Sequence, residues 1–435
     1  MAPPTGPGRF TRFVRQASSE GKLVVQPRMG FGTVDQMRAG LKAVGDVSAP
    51  TVGTITVDSY TRVNDHASAL LALERGEDLN GFPLVTHGAA VTRQMLAGIA
   101  GDDFPVQVRH GSALPGELFA NLTTAGIDAT EGGPVSYCLP YSRVPLAQAV
   151  AAWAECCETL ARSSEQVHLE TFGGCMLGQL CPPSLLIALS ILEGMFFREH
   201  GLHDISVSYA QQTDTQQDIE ALSVLRALAS DWLGDTDWHS VLYTYMGVYP
   251  RSRRGALRLL EASARLAVRS GTERLIVKTA AESSRIPSIA ENVHALEFAA
   301  SVAQRETVVE PAAIPDSGIY EEAQAIITHT LTLGSDVGSA LIRAFELGHL
   351  DVPFCLHQDN ANRCRAQIDG RGRLTWVNPG GVPIPQGRSL SENQQRVTAR
   401  GLIDMLTYIE RRYDRGELTG QQRPAPQDWS GAAAP

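Results

Sequence analysis

Short runs of β-branched and aliphatic residues, each closing on a polar or charged side chain, recur along the first two-thirds of the chain. In order they are LVVQPRMG (23–30), TVGTITVDS (51–59), FPLVTHG (82–88), PVQVRHG (105–111), IDATEGG (127–133), VHLETFGG (167–174), ISVSYAQ (205–211), VLYTYMG (241–247) and LIVKTA (275–280). Between most of them apolar residues return every three or four positions, as in VDQMRAGLKAVG (34–45), PLAQAVAAWAECCETLARS (145–163) and QQDIEALSVLRALASDWLG (216–234). That spacing is the mark of helices burying one face. Strands alternating with helices predict a parallel sheet with helical crossovers. The runs read as apolar throughout, as strands covered on both faces do. No GxGxxG or GxxxxGK[ST] loop opens a helix, and GFGT (30–33) is only a fragment of one, so the pattern favours an α/β fold of the (β/α)8 TIM-barrel type over a nucleotide-binding open sheet. Nine runs compete for eight places, and IDATEGG, the weakest, is expected to be a loop or short extra strand.

The pattern also divides the chain. Residues 1–15 are expected to be a flexible tail, 16–310 the catalytic barrel, and 311–416 a C-terminal helical and irregular appendage. Residues 417–435, rich in Pro, Gly, Ala and Gln, are expected to be disordered.

Composition narrows the function. With 435 residues, 43% of them hydrophobic, the chain can bury a large core. Its 37 Lys and Arg against 47 Asp and Glu leave a formal charge of −10, which argues against a nucleic-acid binder. No apolar run is long enough to span a membrane, and the N-terminus lacks a signal-peptide pattern. Seven scattered cysteines without CxxC pairs fit reduced thiols, and a cytoplasmic enzyme is expected.

Barrel chemistry sits at the carboxyl ends of the strands. The polar residues there are Arg28, Asp58 with Tyr60 and Arg62, His87, Arg109 with His110, Glu131, Glu170, Tyr209 with Gln211, Met246, and Lys278 with Glu282. Three arginines at one mouth could clamp a dicarboxylate or a phosphate, since guanidiniums stay charged and bind carboxylates two-pronged. The plainer alternative pairs each with an Asp or Glu. Glu131 could take a proton from, or pair with, a substrate ammonium, or could merely order its loop. Lys278 could form a Schiff base, bind an anion or ribose, or bridge to Glu282. His87 and His110 stand outside any HxH or HxxxH pair and read as core or supporting histidines. Cys355, His357 and Cys364 form only a loose metal-like group.

In combination, QPRMGFGTVDQM, TVDSYTRVND, LNGFP, QVRHG, EGGPVSYCLPY and VKTAAE resemble, in order, the catalytic epsilon subunit family of glutamate mutase (methylaspartate mutase), over roughly residues 23–365. The resemblance implies a (β/α)8 barrel isomerase that interconverts L-glutamate and (2S,3S)-3-methylaspartate by radical chemistry with adenosylcobalamin. It implies an arginine claw of Arg28, Arg62 and Arg109 on the substrate carboxylates. Glu131 corresponds to the carboxylate at the amino group, and Tyr137 and Tyr141 to two substrate-side tyrosines. Phe172, Met246, Lys278 and Glu282 correspond to cofactor-side residues. Around ETFGGCMLGQLCPPS the chain departs in length from the family pattern. The family's cobalt-ligating histidine belongs to a small flavodoxin-like sigma-type subunit carrying DxHxxG. This chain holds no such motif, and DWHSVL (237–242) ends in Leu, so the resemblance implies a separate partner within a heterotetramer built on an epsilon homodimer. Two rival readings are a Schiff-base lyase acting through Lys278 and a non-catalytic barrel that binds a dicarboxylate or a partner.

Overall fold

In the computed structural model, which describes residues 6–163, 166–176, 180–310, 314–385 and 397–415, eight parallel strands wrap into a barrel. They are β1 (Val24–Pro27), β2 (Gly53–Thr56), β3 (Val106–Arg109), β4 (Ala129–Gly132), β5 (His168–Thr171), β6 (Asp204–Ala210), β7 (Asp237–Tyr243) and β8 (Arg274–Val277). Each strand pairs with its sequence neighbour, β8 pairs with β1, and a single bridge between Val25 and Thr51 joins β1 to β2. The strand–helix rhythm read from the sequence is therefore a (β/α)8 barrel with a helical C-terminal part.

Two of the nine runs exchange roles. IDATEGG supplies β4, paired from Ala129 to Gly132 with β5. FPLVTHG is the run left over: Phe82 makes only an isolated bridge to Val57, and the chain turns into the short helix Leu84–His87 after Pro83. A short apolar run reads alike as strand or buried helix, and only its neighbours decide. Here β2 already pairs with β3, leaving no place between them.

The strands are not apolar on both faces. Their outer faces pack on helices, but the barrel interior is polar and buried. Gln26 Nε2 donates to Gln107 Oε1 at 2.7 Å and to Thr54 Oγ1 at 2.9 Å, and Gln107 Nε2 reaches Glu170 Oε2 at 3.2 Å. Arg274 Nη1 closes the circuit on Gln26 Oε1 at 2.6 Å, while its Nη2 donates to Glu170 Oε2. Buried charges persist only when paired and hydrogen-bonded, and this set is both.

Below this layer, the part of the expected N-terminal tail from Arg9 onward belongs instead to a plug, and residues 1–5 lie outside the described residues. From Arg9 to Ser19 the chain is helical, with Phe10, Val14 and Ala17 buried. Phe10 stacks on His168 at 4.3 Å, Thr11 Oγ1 donates to Asp204 Oδ1 at 2.5 Å, and Arg9 pairs with Asp128 at 2.8 Å. A barrel floor open to water would leave these strand-bottom groups half-solvated, so the amphipathic helix covers them.

The C-terminal region shares the barrel's core. Helix Pro183–Glu199, between β5 and β6, is buried on nearly every face. A helix apolar all round must be covered on both sides, and helices Ile319–Leu331 and Val337–Leu347 do this. A two-stranded ribbon, β9 (Arg365–Ile368) with β10 (Leu374–Asn378), follows. Helix Tyr408–Asp414 then returns to the loop after β7, where Asp414 accepts the backbone N–H groups of Arg251 and Ser252 at 2.8 and 3.1 Å. The expected tail at 417–435 lies outside the described residues. Among the described residues, no helix is long and apolar enough to cross a membrane. All seven cysteines are free and buried.

Removing one partner of a buried ion pair strands the other in low dielectric. Arg274→Met is therefore expected to lower the unfolding free energy by about 3–5 kcal/mol, read from the denaturant midpoint, and adding Glu170→Leu should restore part of the loss.

Candidate active site

Side chains alternate along a strand, so counting by twos up the barrel interior leads to its mouth. Gln26 is followed by Arg28, Gln107 by Arg109, His168 by Glu170, and Ala129 by Glu131. The same period that builds the polar core thus aims Arg28, Arg109 and Glu131 at one space. Arg62 arrives differently. Asp58 caps the short helix Ser59–Arg62 by accepting from Tyr60 and Thr61 N–H groups at 2.8 and 3.1 Å, and that turn carries the arginine over the barrel end. Its side-chain stem lies against Gly111, where an added Cβ would stand 3.6 Å from Cδ.

Arg28, Arg62, Arg109, Glu131, Tyr137, Tyr141, Phe172 and Met246 all line one cavity of about 100 Å³, together with Thr56, His110 and Gly111. Lys278 and Glu282 stand outside that wall. Glu282 Oε1 accepts from Arg28 Nη1 at 2.5 Å and from Lys278 Nζ at 3.2 Å, so this pair backs the cavity through Arg28.

The charges do not cancel. Arg109 Nε donates to Glu131 Oε2 at 2.7 Å, but its Nη1 is buried without a partner. Arg28 and Lys278 share Glu282. Among the described residues Arg62 has no carboxylate at all, and its Nε is buried and unsatisfied. Burial lowers the Arg62 pKa, and the nearby Arg28 and Arg109 lower it further, while Tyr137 and Tyr141 oppose the shift. Arginine keeps its proton in any case. Four cations thus face two carboxylates, and two buried guanidinium nitrogens have no partner among the described residues.

Glu131 is the acid of the cavity wall. Besides Arg109 it accepts from Tyr137 Oη, and from Tyr243 Oη at 2.6 Å. Tyr243, at the end of β7, shares its single hydroxyl hydrogen between Glu131 and Glu170 and lies beneath the Arg109 guanidinium, 4.9 Å from ring centroid to Cζ. Burial would raise the Glu170 carboxyl, but Arg274, with Tyr243, outweighs it and holds the group below the usual range. Sequence reasoning missed Tyr243. It lies within a run, VLYTYMG, whose three hydroxyl-bearing residues look alike until the strand's facing is known.

Apolar groups complete the wall. Phe172 is buried with its ring 5.0 Å from that of Tyr137, and the half-exposed Tyr141 stands at the rim. His110 is enclosed by Phe119, Tyr137 and Trp153. Burial pushes its pKa down to about 3, so it lines the cavity as a neutral ring. Burial likewise lowers Lys278 to about 8, with Glu282 opposing the shift.

The remaining strand-end candidates serve the scaffold. His87 Nε2 contacts the Gly32 carbonyl at 3.0 Å, and Tyr209 Oη donates to Asp218 at 3.0 Å. His357 Nε2 lies 3.0 Å from the Val144 carbonyl, while its Nδ1 accepts from the Asp359 N–H at 3.1 Å. The motif-like DWHSVL is strand β7, with His239 buried inside the barrel beside Arg274.

The family model described as Methylaspartate mutase E chain (MutE) matches residues 5–407. The glutamate mutase epsilon subunit of Escherichia coli O157:H7 is 30% identical over 402 residues, covering 87% of this chain and 82% of that protein. The epsilon subunit of Desulfitobacterium hafniense is 28% identical over 414 residues, 90% of this chain and 84% of its own length. That of the archaeon Haloarcula marismortui is 31% identical over 362 residues, 79% and 73% of the two chains. A match along nearly the whole barrel, together with a relative at this identity and coverage, places the chain in the methylaspartate mutase E chain family, a family of isomerases.

Proposed function

We propose that this chain is the catalytic barrel of an adenosylcobalamin-dependent mutase that interconverts L-glutamate and (2S,3S)-3-methylaspartate. The observation that carries the reading is the unpartnered Arg62, set in one cavity with Arg28, Arg109 and Glu131. A mouth with two positive charges in excess is costly until an anion neutralises it, and a diacid brings two. Arg62 and the free Nη1 of Arg109 offer donors to one carboxylate, and Arg28, anchored by Glu282, offers donors to the other. Glu131 faces the substrate ammonium and can take its proton. Holding both carboxylates fixes the two ends of the substrate even while the bond between them is broken, which weaker contacts would not do.

The chain's residues fit the cofactor. A groove of about 730 Å³ adjoins the cavity and shares Arg62, Gly111 and Tyr141 with it. Beside Lys278 and Glu282, the buried hydroxyl of Tyr249 has no partner among the described residues. Lys278 and Glu282 would hold the adenosine part, with Phe172 and Met246 on the apolar side. When bound, the cofactor supplies the adenosyl radical that removes hydrogen from the substrate. The protein's share is to clamp the carboxylates, receive the ammonium proton and keep water from the cavity.

Exposed apolar side chains ring this face of the barrel. Val63, Tyr141, Val248 and Ile286 follow β2, β4, β7 and β8, and Leu356 projects from the C-terminal region. Such a ring marks a docking surface. It suits the small sigma-type subunit that carries cobalamin, two of which would join an epsilon dimer in a heterotetramer.

The lyase reading draws on one observation, the lowered pKa of Lys278, which leaves a fraction of neutral amine near pH 7. Its Nζ, however, is tied to Glu282 and does not line the cavity. Mixing the chain with the small subunit, adenosylcobalamin and glutamate tests the proposal. Methylaspartate and an organic-radical resonance signal are expected, whereas borohydride trapping of substrate on Lys278 would establish the lyase. A barrel that binds glutamate without turnover would be non-catalytic.

Two variants probe the division of labour. Arg62→Met should raise the glutamate KM by roughly 30- to 100-fold, the equivalent of about 2–3 kcal/mol for a lost charged contact. Glu131→Gln should lower kcat by roughly 10²- to 10⁴-fold with KM within a few-fold, as for a lost proton acceptor. An unchanged kcat would remove Glu131 from the chemistry.

A further inference from the structure

Behind the cavity, one buried carboxylate bonds both of the loops that leave the paired strands β4 and β5. Glu193 belongs to helix Pro183–Glu199 and is wholly buried. Its Oε1 accepts the N–H groups of Val135 and Ser136 at 3.3 and 2.9 Å, in the loop after β4. Its Oε2 accepts those of Phe172 and Gly173 at 3.2 and 2.8 Å, in the loop after β5, together with Ser136 Oγ at 3.0 Å. No Lys, Arg or His among the described residues pairs with it. Backbone dipoles and one hydroxyl alone meet its charge, and burial pushes its carboxyl up to about 7 against them.

The glycines of EGGPVSY and ETFGG fit this arrangement. A Cβ on Gly133 would lie 2.0 Å from Glu193 Oε1, and one on Gly173 would lie 2.6 Å from the Leu189 carbonyl carbon. Neither loop could otherwise press onto the helix. What they carry is the cavity wall. Tyr137, next to Ser136, donates to Glu131, and Phe172 packs against the Tyr137 ring.

We infer that Glu193 is a positioning residue: a single carboxylate that fixes the loops after β4 and β5 against each other, and so sets Tyr137 and Phe172 in register with Glu131. The inference deepens the mutase reading and rests on it for its kinetic consequence. The chemistry of the clasp is specific to a carboxylate. Oε1 serves the loop after β4 alone, Oε2 serves both loops, and every neighbour is a donor. An amide of the same shape has one acceptor, and its NH2 must face two backbone N–H groups, so whichever way it is turned it loses the backbone bonds to one loop.

Glu193→Gln tests this with two readouts. On the isolated full-length chain, amide hydrogen exchange should quicken in segment 133–137, segment 172–175 or both, and stay unchanged in β1–β3. In the assembled enzyme, kcat should fall by roughly 10- to 100-fold, the cost of a small misplacement of groups near the reacting atoms. KM should stay within about threefold, because Arg28, Arg62 and Arg109 stand on other loops and do not contact Glu193. Ser136→Ala, which removes one of the five hydrogen bonds and keeps the carboxylate, should give a smaller drop in kcat and serves if the glutamine variant fails to fold. Unchanged exchange in both segments overturns the clasp, and so does a change in KM that matches the change in kcat. Faster exchange in the variant, with wild-type enzyme that makes no methylaspartate, would uphold the clasp and reject the mutase reading.

Discussion

The arrangement at the barrel mouth depends on charge balance among largely buried side chains. Deep in the barrel the balance is met: Arg274 has Glu170, Arg9 has Asp128, and each sits within further hydrogen bonds. At the mouth it is not met. Arg109 and Arg28 each hold a carboxylate, yet among the described residues Arg62 has none and one nitrogen of Arg109 has no partner. Folding has already placed these guanidiniums around one cavity, against their mutual repulsion. On the proposed function, a ligand with two carboxylates relieves that repulsion, so part of its binding energy is set by the folded protein.

That arrangement would be useless if the groups could swing aside. Glu131 is restrained by Arg109, Tyr137 and Tyr243, and Tyr243 is itself bound to Glu170. Glu170 in turn belongs to the Gln107–Gln26–Arg274 circuit that spans the barrel axis. A continuous line of buried polar contacts therefore runs from the N-terminal plug, through His168 and Ser206, to the acid in the cavity wall. Each member is satisfied by the next, the condition under which a buried polar network stiffens a core instead of weakening it. A (β/α)8 barrel with an aliphatic interior could be as stable, but it could not pass orientation from its floor to its mouth in this way.

The C-terminal region contributes from outside. Its helices cover Pro183–Glu199, and Val337 N–H bonds to Glu199 at 2.8 Å, so the helix that bears Glu193 is fixed on both sides. The helix ending at Asp414 caps the start of Arg253–Arg269 and steadies the loop that follows Met246. These elements lie far from the cavity in sequence, yet they determine the rigidity of the loops that form it.

Much of this was legible in the chain as written. Alternation of runs and periods gives a (β/α)8 barrel because parallel strands need helical crossovers, and the rule that chemistry gathers at strand ends singled out Arg28, Arg62, Arg109 and Glu131. The ordered motifs added Tyr137, Tyr141 and Phe172. Local pattern could not tell that FPLVTHG is a helical turn while IDATEGG is a strand, since a four-residue apolar stretch satisfies either and only pairing across the sheet chooses. Nor could it show that residues 9–19 plug the barrel, that Tyr243 turns inward, or that Glu193 binds two loops. Those contacts join residues tens to hundreds of positions apart, and their partners are chosen by closure of the barrel. The sequence determined which residue types stand at each strand end; only the closed, filled barrel decided which of them share a cavity and which charge among them is left without a partner.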